Sequence, residues 1–332
     1  IKIGDRLPGR LRAAAYSNRG NAYFRMQKFK RAIVDYNQAI LIQPRFATVY
    51  FNRAVAYEKL AAFSRAIEDY TKVISLKPYL SGAYQNRGNV YSRMRRFHLA
   101  IVDYTKEIDL NDRRPNLYLN RGNAYRLIGE RKRAIADYDK AIKLRPRLAD
   151  AYYNRGIANW ELKNYLSAIE DYSRTIKLKP DHASAYNNRG LVHAAEGDYV
   201  DAIADHKKAL KLDPRNANAY NNLGVIAIRQ GRLADSIKQF TKAIALDKHY
   251  SGALRNRGIA HMRQGALKQA QIDLDKAIAS DPDSAAAYFN RGQLHERQGN
   301  TEKAVADYRA ALRIDKSLRP ALRALKRLGK TP

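Results

Sequence analysis

The tripeptide Asn-Arg-Gly occurs at Asn18-Arg19-Gly20, Asn86-Arg87-Gly88, Asn120-Arg121-Gly122, Asn154-Arg155-Gly156, Asn188-Arg189-Gly190, Asn256-Arg257-Gly258 and Asn290-Arg291-Gly292. The chemistry open to it is recognition. An amide donates and accepts at once, so it can hold both the N–H and the C=O of an extended peptide. An arginine fork takes a carboxylate or a phosphate. The other reactive residue types offer less. With no cysteine in the chain, disulfides and thiolate metal sites are absent. No nucleophile–base pair, metal set or phosphate loop is found, so neither an enzyme nor a bound cofactor or metal is expected.

These residues are held in a strict register. Counting from Ala13, the eighth place is Gly20, Ala54, Gly88, Gly122, Gly156, Gly190, Gly224, Gly258 and Gly292, at steps of 34 residues without insertion. Nine repeats therefore start at 13, 47, 81, 115, 149, 183, 217, 251 and 285. Places 4, 8 and 11 share one helical face, and places 20, 24 and 27 another. Turn formers such as Gly197-Asp198 lie between them, and prolines such as Pro44 and Pro180 stop the second helix at place 32. Each repeat is expected to be a helical hairpin with its turn near place 15. Tyr16 then faces Ala39, Gly20 faces Tyr36, and Tyr23 faces Ala32, so that small meets large at each level. Glu107, opposite Tyr84, breaks that pattern.

Register also places the 23 tyrosines. Most stand at places 4, 11 and 24 and are expected in the core rather than on a base-stacking platform. Tyr79, Tyr153, Tyr165, Tyr199 and Tyr250 lie outside those places. His193, His261 and His295 replace tyrosine at place 11, and His206 does so at place 24. A metal ladder of His261 and His295 lacks further ligands.

The period, with tyrosine, glycine, alanine and proline at fixed places, resembles the tetratricopeptide repeat. Residues 13 to 318 carry the likeness, in the Asn-Arg-Gly form common in bacterial repeat proteins. The resemblance implies an all-α fold: an α-solenoid, a right-handed superhelix of nine hairpins with a concave groove. Residues 317–332 read as a C-terminal capping helix and tail, with Leu318, Leu322, Leu325 and Leu328 expected to cover the last hairpin. Residues 1–12 are expected to be a leader or the remnant of a preceding helix.

Within that frame the tripeptide divides by role. Place 7 is arginine at Arg19, Arg53, Arg87, Arg121, Arg155, Arg189, Arg257 and Arg291. Place 23 is aspartate at Asp35, Asp69, Asp103, Asp137, Asp171, Asp205, Asp273 and Asp307. Repeat 7 lacks both, with Leu223 and Gln239. Their joint loss, and the hairpin's equal heights, predict an Arg–Asp bridge within each repeat. The alternative leaves the arginines free for a polyanion. Place 6 is asparagine throughout: Asn18, Asn52, Asn86, Asn120, Asn154, Asn188, Asn222, Asn256 and Asn290. It survives in repeat 7, so its role is separate. The resemblance puts it in the groove, where family members hold peptide backbone with such a ladder. The competing reading has each asparagine bond neighbouring helix backbone.

Selectivity is then expected from Arg25, Lys59, Arg93, Arg229, Arg263 and Arg297 at place 13, Arg126 at place 12 and Arg255 at place 5. Tyr153 and Trp160 add an aromatic pair with Glu161 beside them. The family's chaperone carboxylate clamp is absent, because place 6 is never arginine. A heat-shock-chaperone adaptor is therefore not expected.

The formal net charge is +30, concentrated in repeats 1 to 4 and the C-terminal cap, while residues 149–216 are neutral. Such a chain attracts polyanions. The leading expectation is a non-enzymatic scaffold binding an extended acidic or neutral segment of another protein. The rivals are a binder of RNA, DNA or anionic lipid, and a self-assembling scaffold. No apolar run approaches the roughly 18 residues of a membrane span. The first residue is not Met, so the chain is expected to begin inside a longer product, and its compartment does not follow.

Overall fold

The computed structural model describes residues 8–331, and all regular structure in them is helical. The helices are α1 (Gly9–Arg25), α2 (Phe29–Ile42), α3 (Ala47–Lys59), α4 (Phe63–Leu76), α5 (Ala83–Arg93), α6 (Phe97–Leu110), α7 (Pro115–Leu127), α8 (Arg131–Leu144), α9 (Ala149–Glu161) and α10 (Tyr165–Leu178). They continue as α11 (Ala183–Glu196), α12 (Tyr199–Leu212), α13 (Ala217–Arg229), α14 (Leu233–Leu246), α15 (Ser251–Arg263), α16 (Leu267–Ser280), α17 (Ala285–Arg297), α18 (Thr301–Ile314) and α19 (Arg319–Arg327). The chain divides into two compact bodies, one ending at Asp171 and one beginning at Tyr172, inside α10. In each body the two helices of a repeat pack together, the second helix packs on the next repeat, and first helices touch one another. Residues 1–7 of the expected leader lie outside the described residues. None of the described helices is long and apolar enough to cross a membrane.

The hairpin turns at place 15. Gly129, Gly197, Gly231, Gly265 and Gly299 have positive φ there, and so do Gln27, Ala61, Arg95 and Lys163 in the repeats without glycine. A left-handed residue after the last helical turn closes the helix with backbone bonds. In repeat 1, Gln27 N–H bonds the Phe24 carbonyl and Lys28 N–H bonds the Tyr23 carbonyl.

Between the two helices, place 8 meets place 24. A methyl built on Gly20 would stand 2.7 Å from the Tyr36 ring, and one on Gly122 2.7 Å from Tyr138. Gly224 is tighter still: there the methyl would stand 2.5 Å from the Phe240 ring. Gly224→Ala is expected to cost about 2 kcal/mol by overpacking, read as a lower denaturation midpoint. An unchanged midpoint would show that the ring moves freely.

Two expectations need correction. The place-24 tyrosines Tyr36, Tyr70, Tyr104, Tyr138, Tyr172 and Tyr308 are fully buried, but most at places 4 and 11 are only half-buried. They flank the place-7 arginine instead: the Arg53 guanidinium lies 5.4 Å from the Tyr50 ring centre and 5.8 Å from that of Tyr57. In α19 the residues buried against repeat 9 are Ala321, Ala324 and Leu325, with Leu318 and Leu328 beside them. Leu322, 36% exposed, lies at the edge of that contact rather than inside it, in a hollow with Leu312 and Lys316.

Glu107, where the other repeats carry Ala, Val or Thr, is fully buried and has a clear task. Helix α5 starts at place 3, later than the other first helices, after Gly82 at φ +96°. The Glu107 carboxylate accepts from Gly82 N–H at 2.7 Å, Ser81 Oγ at 2.8 Å and Arg114 Nη1 at 2.9 Å. An anion thus satisfies the orphan donors at the start of a delayed helix.

Candidate functional site

Place 7 sits on the first helix and place 23 on the second, at one height. In repeat 1, Arg19 donates through Nη2 to Asp35 Oδ1 at 2.7 Å and through Nε to Oδ2 at 2.8 Å. The same two-pronged contact joins Arg53–Asp69, Arg87–Asp103, Arg121–Asp137, Arg189–Asp205, Arg257–Asp273 and Arg291–Asp307. Arg155 holds Asp171 at 2.6 Å through Nη2, and Asn159 adds a 3.1 Å bond. All eight aspartates are buried. Burial pushes the Asp69, Asp103 and Asp171 carboxyls above their ordinary range, against the pull of their arginines. Burial also opposes the charge of Arg53 and Arg87, and the aspartate bonds more than reverse it. These cations are therefore occupied inside the scaffold.

The arginine makes a further bond that the register did not reveal. Its Nη1 reaches back to place 25 of the preceding repeat: Arg53 to Asn37 at 2.6 Å, Arg87 to Thr71 at 2.9 Å, Arg121 to Thr105 at 3.0 Å and Arg155 to Asp139 at 2.5 Å. In the second body Arg189 reaches Ser173, Arg257 Thr241 and Arg291 Asp275. Repeat 7 has Leu223 in place of the arginine, and place 25 of repeat 6 is Lys207.

The place-6 asparagines lie on a different face. Asn18 is exposed and the other eight are half-buried. Several are tied to an amide oxygen of the repeat before. Asn52 Nδ2 donates to Asn21 at 2.9 Å, Asn120 to Asn89 at 3.2 Å, Asn222 to Asn187 at 3.3 Å and Asn256 to Asn221 at 3.0 Å. Asn290 donates to Gln293 in its own helix at 3.2 Å. In these five the acceptor is a side chain rather than helix backbone, and the bond uses a single N–H of the amide.

The floor beside them follows the identity of place 24. Where that residue is a buried tyrosine, its hydroxyl needs a partner. Tyr36, Tyr104 and Tyr138 donate to Asn21, Asn89 and Asn123 at place 9, while Tyr70 and Tyr308 donate to Glu58 and Glu296 at place 12. Repeats 6 to 8 carry His206, Phe240 and Leu274 instead, and place 9 becomes Leu191, Val225 and Ile259, place 12 Ala194, Ile228 and Met262. The face is amide-lined in repeats 1, 3 and 4 and aliphatic in repeats 6 to 8. A cavity of about 380 Å³ opens on it between repeats 1 and 2, lined by Asn21, Phe24, Arg25, Tyr36, Phe51, Asn52 and Val55.

The remaining site candidates differ in availability. Arg25, Lys59 and Arg263 are exposed. Arg93 lies 4.6 Å over the Phe63 ring, with Glu58 at 3.9 Å. Arg126 is not available: it pairs with Glu161 at 3.1 Å, and Arg131 takes the other carboxylate oxygen at 2.7 Å. Glu161, the neighbour of Trp160, is the counter-charge that sequence reasoning did not connect to it. Arg229 reaches the Tyr199 hydroxyl at 3.5 Å, and Arg297 the Met262 carbonyl at 3.0 Å. Tyr153 and Trp160 are both half-buried, and the indole packs on Tyr165 at 5.2 Å between ring centres. Arg255 is half-buried with Nη2 at 3.3 Å from Asn256 Oδ1.

Comparison with known proteins agrees with this architecture. Sequence profiles of the TPR repeat match residues 20–60 and 122–163. Profiles of the tetratricopeptide repeat match 47–79, 81–113, 149–182, 181–249 and 255–318. No curated protein matches the chain. Among solved structures, the APC/C hetero-tetramer Cut9-Hcn1 is similar at TM-score 0.63 and 16% identity, over 98% of this chain and 78% of that one. The C-terminal part of a TPR repeat-containing protein from Cytophaga hutchinsonii is similar at TM-score 0.60 and 20% identity, over 72% and 98%. PilF of Pseudomonas aeruginosa is similar at TM-score 0.56 and 17% identity, over 64% and 97%. At these identities the structures speak to the fold alone. Matched along its length and built of stacked helical hairpins, the chain belongs to the tetratricopeptide-repeat family and is a non-catalytic protein-interaction scaffold.

Proposed function

We propose that the protein binds an extended segment of another protein along the face lined by the place-6 asparagines, through the segment's backbone. One observation carries this reading. The asparagines are half-exposed, and several are oriented by an amide of the preceding repeat, as in Asn52–Asn21 and Asn120–Asn89. An amide pinned by one N–H keeps a second N–H and its carbonyl oxygen for a peptide bond, and pinning it beforehand lowers the ordering cost of binding. Side-chain selection falls to Arg25, Lys59, Arg229, Arg263 and Arg297 at the rim, and to Tyr153 and Trp160.

The test is the double substitution Asn120→Ala with Asn154→Ala, applied to capture of partners from the native cell extract at low and high salt. Capture is expected to survive salt and to fall at least about tenfold in the double variant, the loss of one to two hydrogen bonds to a desolvated backbone. Normal capture by a variant of unchanged melting temperature sinks the reading. A second reading, a polyanion held by repeats 1 to 4, rests on their exposed cations, among them Lys28, Lys30, Arg31, Arg95 and Arg96. It requires binding that falls steeply with salt, in proportion to phosphates contacted.

A further inference from the structure

One cation on the asparagine face stands apart. Arg19, Arg53, Arg87, Arg114, Arg121, Arg126, Arg131, Arg155, Arg189, Arg257 and Arg291 are all partly buried, and each holds a carboxylate. Arg255 is partly buried too, and no carboxylate lies within ion-pair distance of it among the described residues. Its Nε is buried and unbonded. Its single hydrogen bond, to Asn256 Oδ1, is long at 3.3 Å. Desolvation holds this guanidinium below its ordinary pKa. Retaining an uncompensated, half-desolvated cation costs the free protein stability.

Its surroundings follow from the repeat register. Between repeats 1 and 2 the cavity is walled by places 9, 12, 13 and 24 of one repeat and places 5, 6 and 9 of the next. Between repeats 7 and 8 those places are Val225, Ile228, Arg229 and Phe240, then Arg255, Asn256 and Ile259. Arg255 thus stands where repeat 2 has Phe51, among aliphatic and aromatic places and with Arg229 as a second cation. None of these seven residues is acidic.

We infer that the repeat 7–repeat 8 junction receives an acidic side chain of an extended partner segment on Arg255, with an aliphatic neighbour of that acid seated against Val225, Ile228 and Ile259. This rests on the peptide-binding reading and adds its selectivity: an alternating aliphatic–acidic segment. The acid supplies the counter-charge that the scaffold withholds, and Asn256, pinned by Asn221, stands beside it for the backbone.

The probes are three short labelled peptides, alternating Ile with Glu, Ile with Gln, and Ser with Glu. Each is titrated by fluorescence polarisation against wild type, Arg255→Gln, and an Asn222→Ala/Asn256→Ala double variant, which removes the place-6 amides of this junction. Wild type is expected to bind the Ile–Glu peptide at least about tenfold tighter than either other, as one charge-assisted bond or one buried aliphatic side chain requires. Arg255→Gln is expected to erase the Glu-over-Gln preference while melting no lower than wild type, because it removes an uncompensated cation. Equal binding of Glu and Gln peptides by wild type, a preference that persists in Arg255→Gln, or no binding at all overturns the proposal. If the preference depends on Arg255 but the asparagine double variant binds as wild type does, this proposal stands and backbone capture there fails. The reverse pattern leaves backbone capture standing and ends this one. A dimer in sedimentation equilibrium that Arg255→Gln dissociates would assign the junction to a second copy of the chain and overturn the partner-segment assignment.

Discussion

Asp103→Ala is expected to lower stability by about 3 kcal/mol or more, the usual cost of stranding one member of a buried ion pair. Asp103 is 2% exposed and accepts both prongs of Arg87, at 2.7 and 2.8 Å. Without it the guanidinium keeps its Thr71 bond and its place between the Tyr84 and Tyr91 rings, but loses its counter-charge. Arg87→Leu alone should be as damaging, since it leaves a buried carboxylate. The informative variant is the double substitution Arg87→Leu with Asp103→Gln, which copies the Leu223 and Gln239 of repeat 7. Because the intact pair spends much of its attraction on desolvation, the double variant is expected to recover most of the loss. Thermal or urea melts of the four proteins decide it. Additive losses in the double variant would mean that the two residues do not act as a pair.

Acidification from pH 7 to 4 is also expected to remove stability at His206, in the same direction as at His261, whose pKa desolvation lowers too. The His206 ring is fully buried beneath Gly190, whose added methyl would lie 3.0 Å from it. Nδ1 lies 3.1 Å from Asn187 Oδ1, and Nε2 is buried without a partner. Desolvation lowers its pKa from 6.5 to about 4, outweighing the pull of Asp205. Between those values the unfolded chain binds a proton that the folded chain refuses, so stability rises with pH across that window. Below both values the penalty reaches about 3 kcal/mol. His206→Phe, the counterpart of Phe240 in repeat 7, is expected to remove this part of the pH dependence and leave the rest. Parallel melting curves for wild type and variant at pH 7, 5.5 and 4 would refute the assignment.

What could be read in advance depended on whether a property was tied to one residue type. Gly20 against Tyr36 was legible because a missing side chain and a large ring recur together at fixed places. Arg19 with Asp35 was legible because repeat 7 loses both partners at once. The back-reaching arginine bond was hidden, since its acceptors are Asn37, Thr71, Thr105, Asp139 and Ser173, which share an oxygen and little else. The asparagine partners were hidden for a related reason: the receiving amide is Asn21 at place 9 in one repeat and Asn187 at place 5 in another. Arg126 looked available because its acid, Glu161, lies in the following repeat. Glu107 could not be explained from its own hairpin face, because it serves the delayed start of α5 and the arginine at position 114.

The arginine that reaches back also sets rules for how such a chain can grow by duplication. A repeat carrying Arg at place 7 can be copied behind any repeat that offers an oxygen at place 25, and the new joint is bonded at once. Repeat 6 offers Lys207, and repeat 9 offers Arg309, which bonds the Thr331 carbonyl. Both are followed by leucine at place 7, Leu223 and Leu325. A duplicated arginine-bearing repeat inserted after either would bring two cations together. A repeat with arginine at place 7 thus fits behind most repeats and is disfavoured behind these two, so the repeats are not freely interchangeable units.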